Sequence, residues 1–409
     1  MANAIKVESR SYATLLDEAT AHQLRLFHTL ECLEERGCII RPTDHGLRAR
    51  IPPIVPHAPF DRHRVYTAGR QAGSWNIDSQ LAKFQGRYYY GFTNGRIDED
   101  TEGQQVRLST SDDAQNWSEP TNVIGGEADT RDAYKCMGLL PMEDTLYMWI
   151  RWARRVRDPN SDAVGGGYYA DWHHARTFLY ASADGNDWSE VSELPERVSA
   201  TYETPHLTAD GRLIGVASID ERSGPAMLRW PGSDPTQEPE ILPIEQPFGC
   251  KLEGGETTWY QTDDGTLVIF WRDESQSCRV WINTSPDGGD TFTTPMISDI
   301  PDAMSRNHAG RLRDGRYYLC NNANYTLHNR MHLTLLLSDD GYTFNQVYIL
   351  VDDPTSMRLV GLLKEPGYMY PCCLEEEDRL LVGYSVNKED IEMGILDLRQ
   401  LEENASAMA

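Results

Sequence analysis

The chain has 409 residues, of which 63 are acidic and 38 basic, so its formal net charge is −25. This balance argues against nucleic acid or an anionic membrane as a partner, because binding to phosphates needs a basic face. No apolar run reaches the length of about 18 residues that a membrane span requires. Hydrophobic residues make up 40 % of the chain, which is enough for a packed core. We therefore expect a globular protein.

Two elements are predicted ahead of the main domain. Between Tyr12 and Arg36, apolar residues recur mostly at spacings of three and four, which predicts one or two helices that cap the main domain. Residues Cys38 to Ile51 carry a turn signal and predict a hairpin, and a proline-rich connector follows. We therefore divide the chain into residues 1–66, with the cap, hairpin and connector, and residues 67–409, a single main domain.

The N-terminal residues also bear on location. They place charged side chains where a secretory signal needs an apolar core. This predicts a cytoplasmic protein, or a mature form after processing.

The cysteines give no sign of a metal site. Eight of them are scattered along the chain without a C-x-x-C pair or a histidine-rich partner cluster. Zinc sites usually show such spacing. Neither a metal nor another cofactor is therefore predicted.

One signal recurs six times after Trp75: a polar or acidic turn, usually with glycine, and then a short apolar strand. A repeat of this size, with several strands and no helical pattern between copies, is typical of a β-propeller. We predict an all-β fold of six or seven four-stranded antiparallel blades, because the N-terminal hairpin could complete the last blade or help to form a seventh. The six copies begin at Phe84, Met142, Ala209, Asp263, Arg313 and Glu377.

A loop of the pattern Ser-x-Asp-x-Gly-x-x-aromatic follows one of these strands, and three shortened copies drop one residue. In such a loop the Asp side chain can accept backbone N–H bonds across the turn while the aromatic ring packs under the blade. Four copies in register predict a structural staple rather than a catalytic motif. They span Ser111 to Trp117, Ser182 to Trp188, Ser285 to Phe292 and Ser338 to Phe344.

These loops resemble the Asp-box (BNR) repeats of the sialidase-like β-propellers, and the resemblance extends to four side chains. Glu256 and Arg272 match the family's glutamate and the arginine that follows it after a D-G-x-L strand. Arg330 matches the next arginine, ahead of an Asp box, and Tyr370 matches the tyrosine that opens the last blade. The resemblance implies that Tyr370 and Glu256 form a nucleophilic pair, and that Arg272 and Arg330 hold a sugar carboxylate.

Two positions depart from the sialidase pattern. Asn76 stands where sialidases have the first arginine of a three-arginine clamp, and an amide cannot form a charge-assisted fork with a carboxylate. The family's acid/base aspartate falls in a loop that holds four carboxylates, where Asp100 is the nearest match. The tail from Gly367 also resembles a broader set of sialidase-like propellers, some of which are lyases or rhamnosidases that act next to a uronic acid.

Further candidates come from the residues themselves. Four arginines fall between Arg151 and Arg157, and His173 and Arg176 follow them. An anionic glycan could be steered to this basic group, with a histidine or Tyr169 as acid or base. His308, beside Arg306, is predicted at a similar inner position of a later blade and is another candidate. A solvated loop and structural histidines are the alternative interpretation.

Together these features predict a carbohydrate-active enzyme with residues 67–409 as its catalytic domain. We expect an exo-acting glycoside hydrolase of sialidase-like type that cleaves a terminal glycosidic bond in an acidic oligosaccharide or polysaccharide, using Tyr370 and Glu256. An exo-acting polysaccharide lyase that cleaves next to a uronic acid by β-elimination, as in a rhamnose-glucuronate unit, stays open. A glycan-binding propeller without catalysis also stays open. We expect a monomer.

Overall fold

The computed structural model describes residues 48–49, 55–127, 131–157, 168–171, 174–219, 224–247, 249–361 and 363–401. The helical cap predicted over Tyr12 to Arg36 lies outside these residues, as does most of the predicted hairpin. Within the described ranges, no helix is long and apolar enough to cross a membrane. A helical segment at residues 398–401 follows the last strand.

The first three blades follow in chain order after two N-terminal strands. These strands are β1 (Arg48–Ala49) and β2 (Phe60–Tyr66). Blade 1 contains β3 (Trp75–Phe84), β4 (Arg87–Gly95), β5 (Gln105–Ser111) and β6 (Thr121–Gly125). Blade 2 contains β7 (Asp132–Met142), β8 (Thr145–Arg157), β10 (Arg176–Ser182) and β11 (Ser189–Glu193), with β9 (Tyr168–Ala170) paired to β8. Blade 3 contains β12 (Val198–Ala200) and β13 (His206–Leu207), both paired to β14 (Leu213–Ile219), then β15 (Gly224–Arg229) and β16 (Glu240–Pro243).

The last three blades repeat the same antiparallel order. Blade 4 contains β17 (Leu252–Gln261), β18 (Leu267–Asp273), β19 (Arg279–Ser285) and β20 (Met296–Pro301). Blade 5 contains β21 (His308–Arg311), β22 (Tyr317–Asn321), β23 (Leu333–Ser338) and β24 (Thr343–Val351), with β1 parallel to β24. Blade 6 contains β25 (Tyr368–Glu376), β26 (Arg379–Val386) and β27 (Asp390–Asp397).

An N-terminal strand closes the ring. β2 pairs with β27 as the fourth strand of blade 6, which otherwise comes from the C-terminal part of the chain. The first strand of blade 6, β25, contacts the first strand of blade 1, β3. The fold is therefore an all-β propeller of six four-stranded antiparallel blades. Of the two blade numbers left open by the sequence, six is confirmed, and the closing strand lies after the predicted hairpin.

The core is divided between the blade interfaces. Six apolar clusters each join two neighbouring blades, for example blades 5 and 6. A strand with neighbours on both faces must be apolar on both, and β14 is buried at all seven of its residues. This burial explains why the strands read as continuous apolar runs.

The four predicted staple loops occupy the same place in their blades, between the third and fourth strands of blades 1, 2, 4 and 5. In blade 1, Asp113 Oδ1 accepts the backbone N–H groups of Gln115 at 2.9 Å and Asn116 at 2.8 Å. Asp184, Asp287 and Asp340 accept backbone N–H bonds in the other three loops. These aspartates are occupied by their own loops, away from the chemistry described next.

Candidate functional site

Three first strands are irregular where they enter the central channel. The pairing register shifts in β3 after Ile77, in β17 after Glu253 and in β25 after Met369. Such a bulge redirects side chains that a regular strand would send into a blade interface. The channel mouth can therefore receive polar side chains from several blades.

Asp78, Glu256 and Tyr370 lie within these three irregular stretches. Asp78 has a φ of 61° and Tyr370 a φ of 59°. Left-handed backbone is uncommon for residues other than glycine, and such strain clusters at functional sites. The orientation of these two side chains therefore depends on a strained backbone conformation.

Tyr370, Glu256 and Arg272 form one hydrogen-bonded group. The Tyr370 hydroxyl donates to Glu256 Oε1 at 3.0 Å, and Arg272 Nη1 donates to the Tyr370 oxygen at 3.0 Å. Arg272 also forms an ion pair with Glu256 Oε2. Each of the three side chains is buried but keeps a small exposed fraction. The tyrosine oxygen therefore has a proton acceptor on one side and a cation on the other, an arrangement that stabilises developing negative charge.

The protonation states in this group follow from burial and from the ion pair. Burial raises the pKa of Tyr370, and the Glu256 charge raises it further, so the hydroxyl keeps its proton at rest. Burial also works against ionisation of Glu256, but the Arg272 charge outweighs it and lowers the pKa of this carboxyl. Glu256 is therefore a carboxylate at neutral pH and can accept the tyrosine proton.

Arg330 lies against the same tyrosine. Its guanidinium carbon is 5.6 Å from the Tyr370 ring centroid, and Nη2 donates to the Met304 carbonyl at 2.9 Å. Its Nη1 lies 3.1 Å from Glu365 Oε2. Gly367 permits the close approach of the Arg330 backbone, because a Cβ there would lie 2.2 Å from the Arg330 carbonyl oxygen. The structure thus brings together all four residues of the sialidase-like set.

Two lysines that the sequence analysis did not single out enter the same region. Lys388 is buried, its pKa is lowered by burial, and it lies within electrostatic range of Arg272 and Arg330. Lys135 Nζ donates to Glu99 Oε1 at 2.6 Å. For Lys135 the sequence does carry a signal, a lone lysine in the apolar strand start DAYKCMG. The channel mouth therefore gathers four basic side chains, of which Arg272, Arg330 and Lys135 each lie against a carboxylate.

Two buried carboxyl groups have pKa values that are raised toward neutral pH. Burial raises the pKa of Asp78 to about 6, although the Lys135 charge opposes this shift. Burial raises the pKa of Asp302 to about 7, against the hydrogen bond from the Ser305 N–H. Thr93 Oγ1 donates to Asp78 Oδ2 at 2.8 Å. Carboxyl groups tuned in this way are candidates for general acids.

Asn76 and Asp100 differ in how they are placed. The Asn76 side chain is fully buried, its Nδ2 donates to the Glu389 carbonyl at 2.5 Å, and its Oδ1 accepts from Asn94 Nδ2 at 2.7 Å. Both ends of this amide are committed to the protein. Asp100 has a φ of 59°, and its charge is close enough to Lys135 to contribute to the raised pKa of that lysine.

Arg176 and Arg151 of the predicted basic group differ in their surroundings. Arg176 forms an ion pair with Glu193, and these residues belong to the third and fourth strands of blade 2. His173 lies outside the described residues. Arg151 is fully buried instead, and its Nη1 donates to the Tyr202 hydroxyl at 2.9 Å, while Lys135 Nζ lies 5.9 Å from the centroid of the same ring.

His308 and Arg306 lie deeper in the channel. His308 stacks on the Tyr318 ring, and burial lowers its pKa to about 4. Arg306 is fully buried, and its three guanidinium nitrogens have no hydrogen-bond partner among the residues the structure describes. Its charge acts on Asp78 of blade 1 and Cys372 of blade 6, which places it near the propeller axis. It adds positive potential there but offers no exposed surface to a substrate.

The fold and the arrangement of this site define a sialidase-like β-propeller. Residues 90–383 match the BNR repeat-like domain family, and this match spans more than half of the chain. The chain therefore belongs to the BNR repeat-like domain family, and the resemblance proposed from the sequence is confirmed. None of the curated proteins compared with the chain matches it.

Solved structures share the fold at low sequence identity. A protein of unknown function from Dyadobacter fermentans is 16 % identical with a TM-score of 0.63, over 82 % of this chain and 98 % of that one. Hadza microbial sialidase Hz136 is 15 % identical with a TM-score of 0.64, over 83 % of this chain and 69 % of that one. Trypanosoma rangeli sialidase, solved with the inhibitor DANA, is 11 % identical with a TM-score of 0.62, over 86 % of this chain and 62 % of that one. Likeness at these identities establishes the propeller fold and leaves the activity to be argued from the site.

Proposed function

We propose that the protein is a carbohydrate-active enzyme that hydrolyses a terminal glycosidic bond in an acidic glycan. One observation carries the proposal: the Tyr370 hydroxyl lies 3.0 Å from a Glu256 oxygen and 3.0 Å from an Arg272 nitrogen at the channel mouth. A buried tyrosine between a base and a cation has what a nucleophile needs. The sialidases named above, which share this fold, support the substrate class.

In the proposed reaction, Glu256 Oε1 takes the Tyr370 proton while the tyrosine oxygen bonds to the anomeric carbon. The bond from that carbon to the leaving oxygen breaks, and a carboxylic acid gives the leaving oxygen its proton. Water then attacks the anomeric carbon and gives a proton to the carboxylate that the acid has become, the bond from that carbon to the tyrosine oxygen breaks, and Glu256 returns its proton to Tyr370. Asp100 is the acid implied by the family, and Asp78 is a second candidate because burial raises its pKa to about 6, so that it is protonated in mildly acidic solution.

The cations of the channel mouth would hold the negative group of the sugar. We propose that Arg272 and Arg330 bind its carboxylate and that Lys388 supplies the third positive charge. Lys388 follows from the placement of Asn76, whose backbone N–H donates to the Lys388 carbonyl at 2.8 Å while its side chain is occupied elsewhere. A lysine acts as a point charge without the planar fork of an arginine. The carboxylate geometry accepted here should therefore differ from that of a three-arginine clamp.

β-Elimination next to a uronic acid is the second candidate, and Lys388 is the observation that favours it. Burial lowers the pKa of this lysine, which makes its neutral amine more available as a base for the C5 proton of a uronate. The arginines would neutralise the uronate carboxylate in the same step.

A panel of acidic glycans separates these reactions. Each glycan is incubated with the protein while released reducing sugar and ultraviolet absorbance are recorded together. We expect reducing sugar without new absorbance, since only elimination creates an unsaturated uronate. Absorbance that rises with the reducing sugar would replace hydrolysis by elimination. Binding without either signal across the panel would leave a glycan-binding propeller.

A further inference from the structure

Three potential metal ligands converge deeper in the channel, away from Tyr370. Glu203, His206 and His308 each offer a ligand atom, and these atoms all lie within 4.8 Å of one another. They come from blade 3 and blade 5. Both histidines line a cavity of about 580 Å³ whose wall includes the later part of β25, from Cys372 to Glu375. Tyr370 belongs to the start of that strand, so the cluster is distinct from the proposed glycan site.

Only one of the two Glu203 carboxylate oxygens has hydrogen-bond partners among the described residues. Its side chain is 1 % exposed. Oε1 accepts from Thr258 Oγ1 at 2.8 Å and lies 2.9 Å from His206 Nε2. Oε2 is buried and has no hydrogen-bond partner in the described part of the chain. A buried carboxylate oxygen without a partner is costly, and a bound cation would remove that cost.

The surroundings hold the three ligands in place. Thr258 Oγ1 also accepts the Ala309 N–H at 2.8 Å, which fixes the hydroxyl that contacts Glu203. His308 Nδ1 lies 3.2 Å from the Tyr318 hydroxyl. When Nδ1 donates its proton to that oxygen, Nε2 carries the free lone pair. Orientation of a histidine ligand through its second nitrogen is a regular feature of metal sites.

We propose that Glu203, His206 and His308 bind a divalent transition metal of the zinc class, with an open coordination position toward the cavity. Two imidazoles and one carboxylate are a common protein set for zinc, and a water or a ligand then takes the fourth position. Zinc bonds of about 2.0 to 2.1 Å would place the ligand atoms roughly 3.4 Å apart, which small side-chain rotations can reach. The proton between His206 and Glu203 would leave as the metal binds. No spacing motif in the sequence could reveal this set, because Glu203 and His308 belong to different blades.

The test measures metal on the intact chain prepared without a histidine tag. After removal of bound metal by a chelator and dialysis, the protein is titrated with Zn²⁺ in a calorimeter, and its metal content is measured by mass spectrometry. We expect one equivalent per chain that survives dialysis. Titration with Co²⁺ should give the visible absorption of a low-coordinate site with nitrogen and oxygen ligands. Uptake of less than one-tenth of an equivalent would overturn the proposal.

Three variants locate the site: Glu203→Gln, His206→Ala and His308→Ala. Each should lower Zn²⁺ affinity by more than about a hundredfold, because loss of even an outer-shell partner costs 10- to 100-fold. His57→Ala is the matched control, since His57 pairs with Asp352 at 3.0 Å on the surface and belongs to no group of three potential ligands among the described residues. Circular dichroism checks that each variant folds. If a variant does not fold, the Co²⁺ spectrum of the parent decides whether the metal has nitrogen and oxygen ligands. Variants that bind Zn²⁺ as the parent does would show that the cluster is only a hydrogen-bonded pair beside a histidine.

Discussion

The Tyr370 hydroxyl lies 3.0 Å from Glu256 Oε1, although the two residues are 114 positions apart in the chain. Glu256 comes from β17 of blade 4 and Tyr370 from β25 of blade 6, so blade 5 separates the strands that carry them. The pair can form only when the blades surround a common channel. The pairing of β2 with β27, which closes the ring, is thus a condition for the proposed chemistry.

Tyr370→Phe tests the proposed nucleophile. The change removes only the hydroxyl, so hydrolysis of an accepted glycan should fall by orders of magnitude in kcat while binding persists. Initial rates and calorimetric binding of the same glycan measure the two effects separately.

Tyr260→Phe is the control for that experiment. Tyr260 is also buried, but its hydroxyl donates to the Gly341 carbonyl at 2.7 Å inside a blade interface. Its loss should cost about 1 kcal/mol of stability and leave kcat unchanged. Equal rates in Tyr370→Phe and the parent would remove tyrosine from the chemistry.

The propeller could be predicted from the sequence because its signals are local. Each turn and apolar strand, and each staple loop, is encoded within a few residues. The number of blades could not be predicted from such local signals, because it depends on the role of β2. The sequence of β2, FDRHRVY, is largely polar, and the segment forms a strand by pairing with β27. An outer propeller strand with one solvated face carries little apolar pattern.

The site could be predicted in part. Glu256, Arg272, Arg330 and Tyr370 stand at landmarks that the repeats mark, and the structure places them together. Lys388 carries no comparable mark, because its burial depends on contacts among several blades. The closeness of Glu203 and His308 has no sequence signal either, because it also depends on contacts between blades. Burial of charge is a property of the closed ring, which no single stretch of sequence displays.

Arg272→Lys and Arg330→Lys test the carboxylate grip. Lysine keeps the charge but cannot supply two parallel donors, so each change should weaken binding of an acidic sugar by about ten- to a hundredfold. Calorimetric titration with a monosaccharide that carries a carboxylate measures the effect.

Arg229→Lys is the matched control for the arginine variants. Arg229 is also an arginine in ion pairs, with Glu240 at 2.7 Å and Asp290 at 2.5 Å, but it lies on the third strand of blade 3. Its replacement should leave sugar affinity unchanged. If Arg272→Lys binds the sugar as tightly as the parent does, the grip is wrong.

Lys388→Met tests the third cation. Burial lowers the pKa of Lys388; the Glu99 and Glu365 charges oppose this shift and the Arg330 and Arg272 charges add to it, so that the pKa stays lowered overall. Its removal should therefore leave stability unchanged or increased, while affinity for an anionic sugar falls about tenfold, the equivalent of about 1.4 kcal/mol. Chemical denaturation and calorimetry measure the two quantities.

Lys364→Met separates a binding lysine from a structural one. Lys364 is also buried with a lowered pKa, but its Nζ lies 3.5 Å from Glu389 Oε1, so its loss should destabilise the fold. The reverse pattern, in which Lys388→Met loses stability and retains affinity, would assign Lys388 to the scaffold.

Asp302→Asn tests the buried acid through the pH dependence of stability. Burial raises the folded-state pKa of Asp302 from 3.8 to about 7. As pH rises above 4, the unfolded chain loses this proton first, so the parent is progressively destabilised until about pH 7 and by a constant amount above it. The variant lacks this penalty. It should match the parent near pH 4 and exceed its unfolding free energy at pH 8 by about 1 to 4 kcal/mol, at about 1.4 kcal/mol per pKa unit.

Asp184→Asn should show the opposite slope. Backbone N–H groups of Asn186 and Asp187 lower the pKa of Asp184 to about 2, so its ionised form stabilises the loop above its ordinary pKa of 3.8. That contribution is lost as the pH falls toward 2, so the variant should be less stable than the parent at pH 7 and equal to it in strong acid. Urea unfolding across the pH range measures both variants. A curve for Asp302→Asn that runs parallel to the parent between pH 4 and 8 would mean that this carboxyl is ionised in the folded protein throughout.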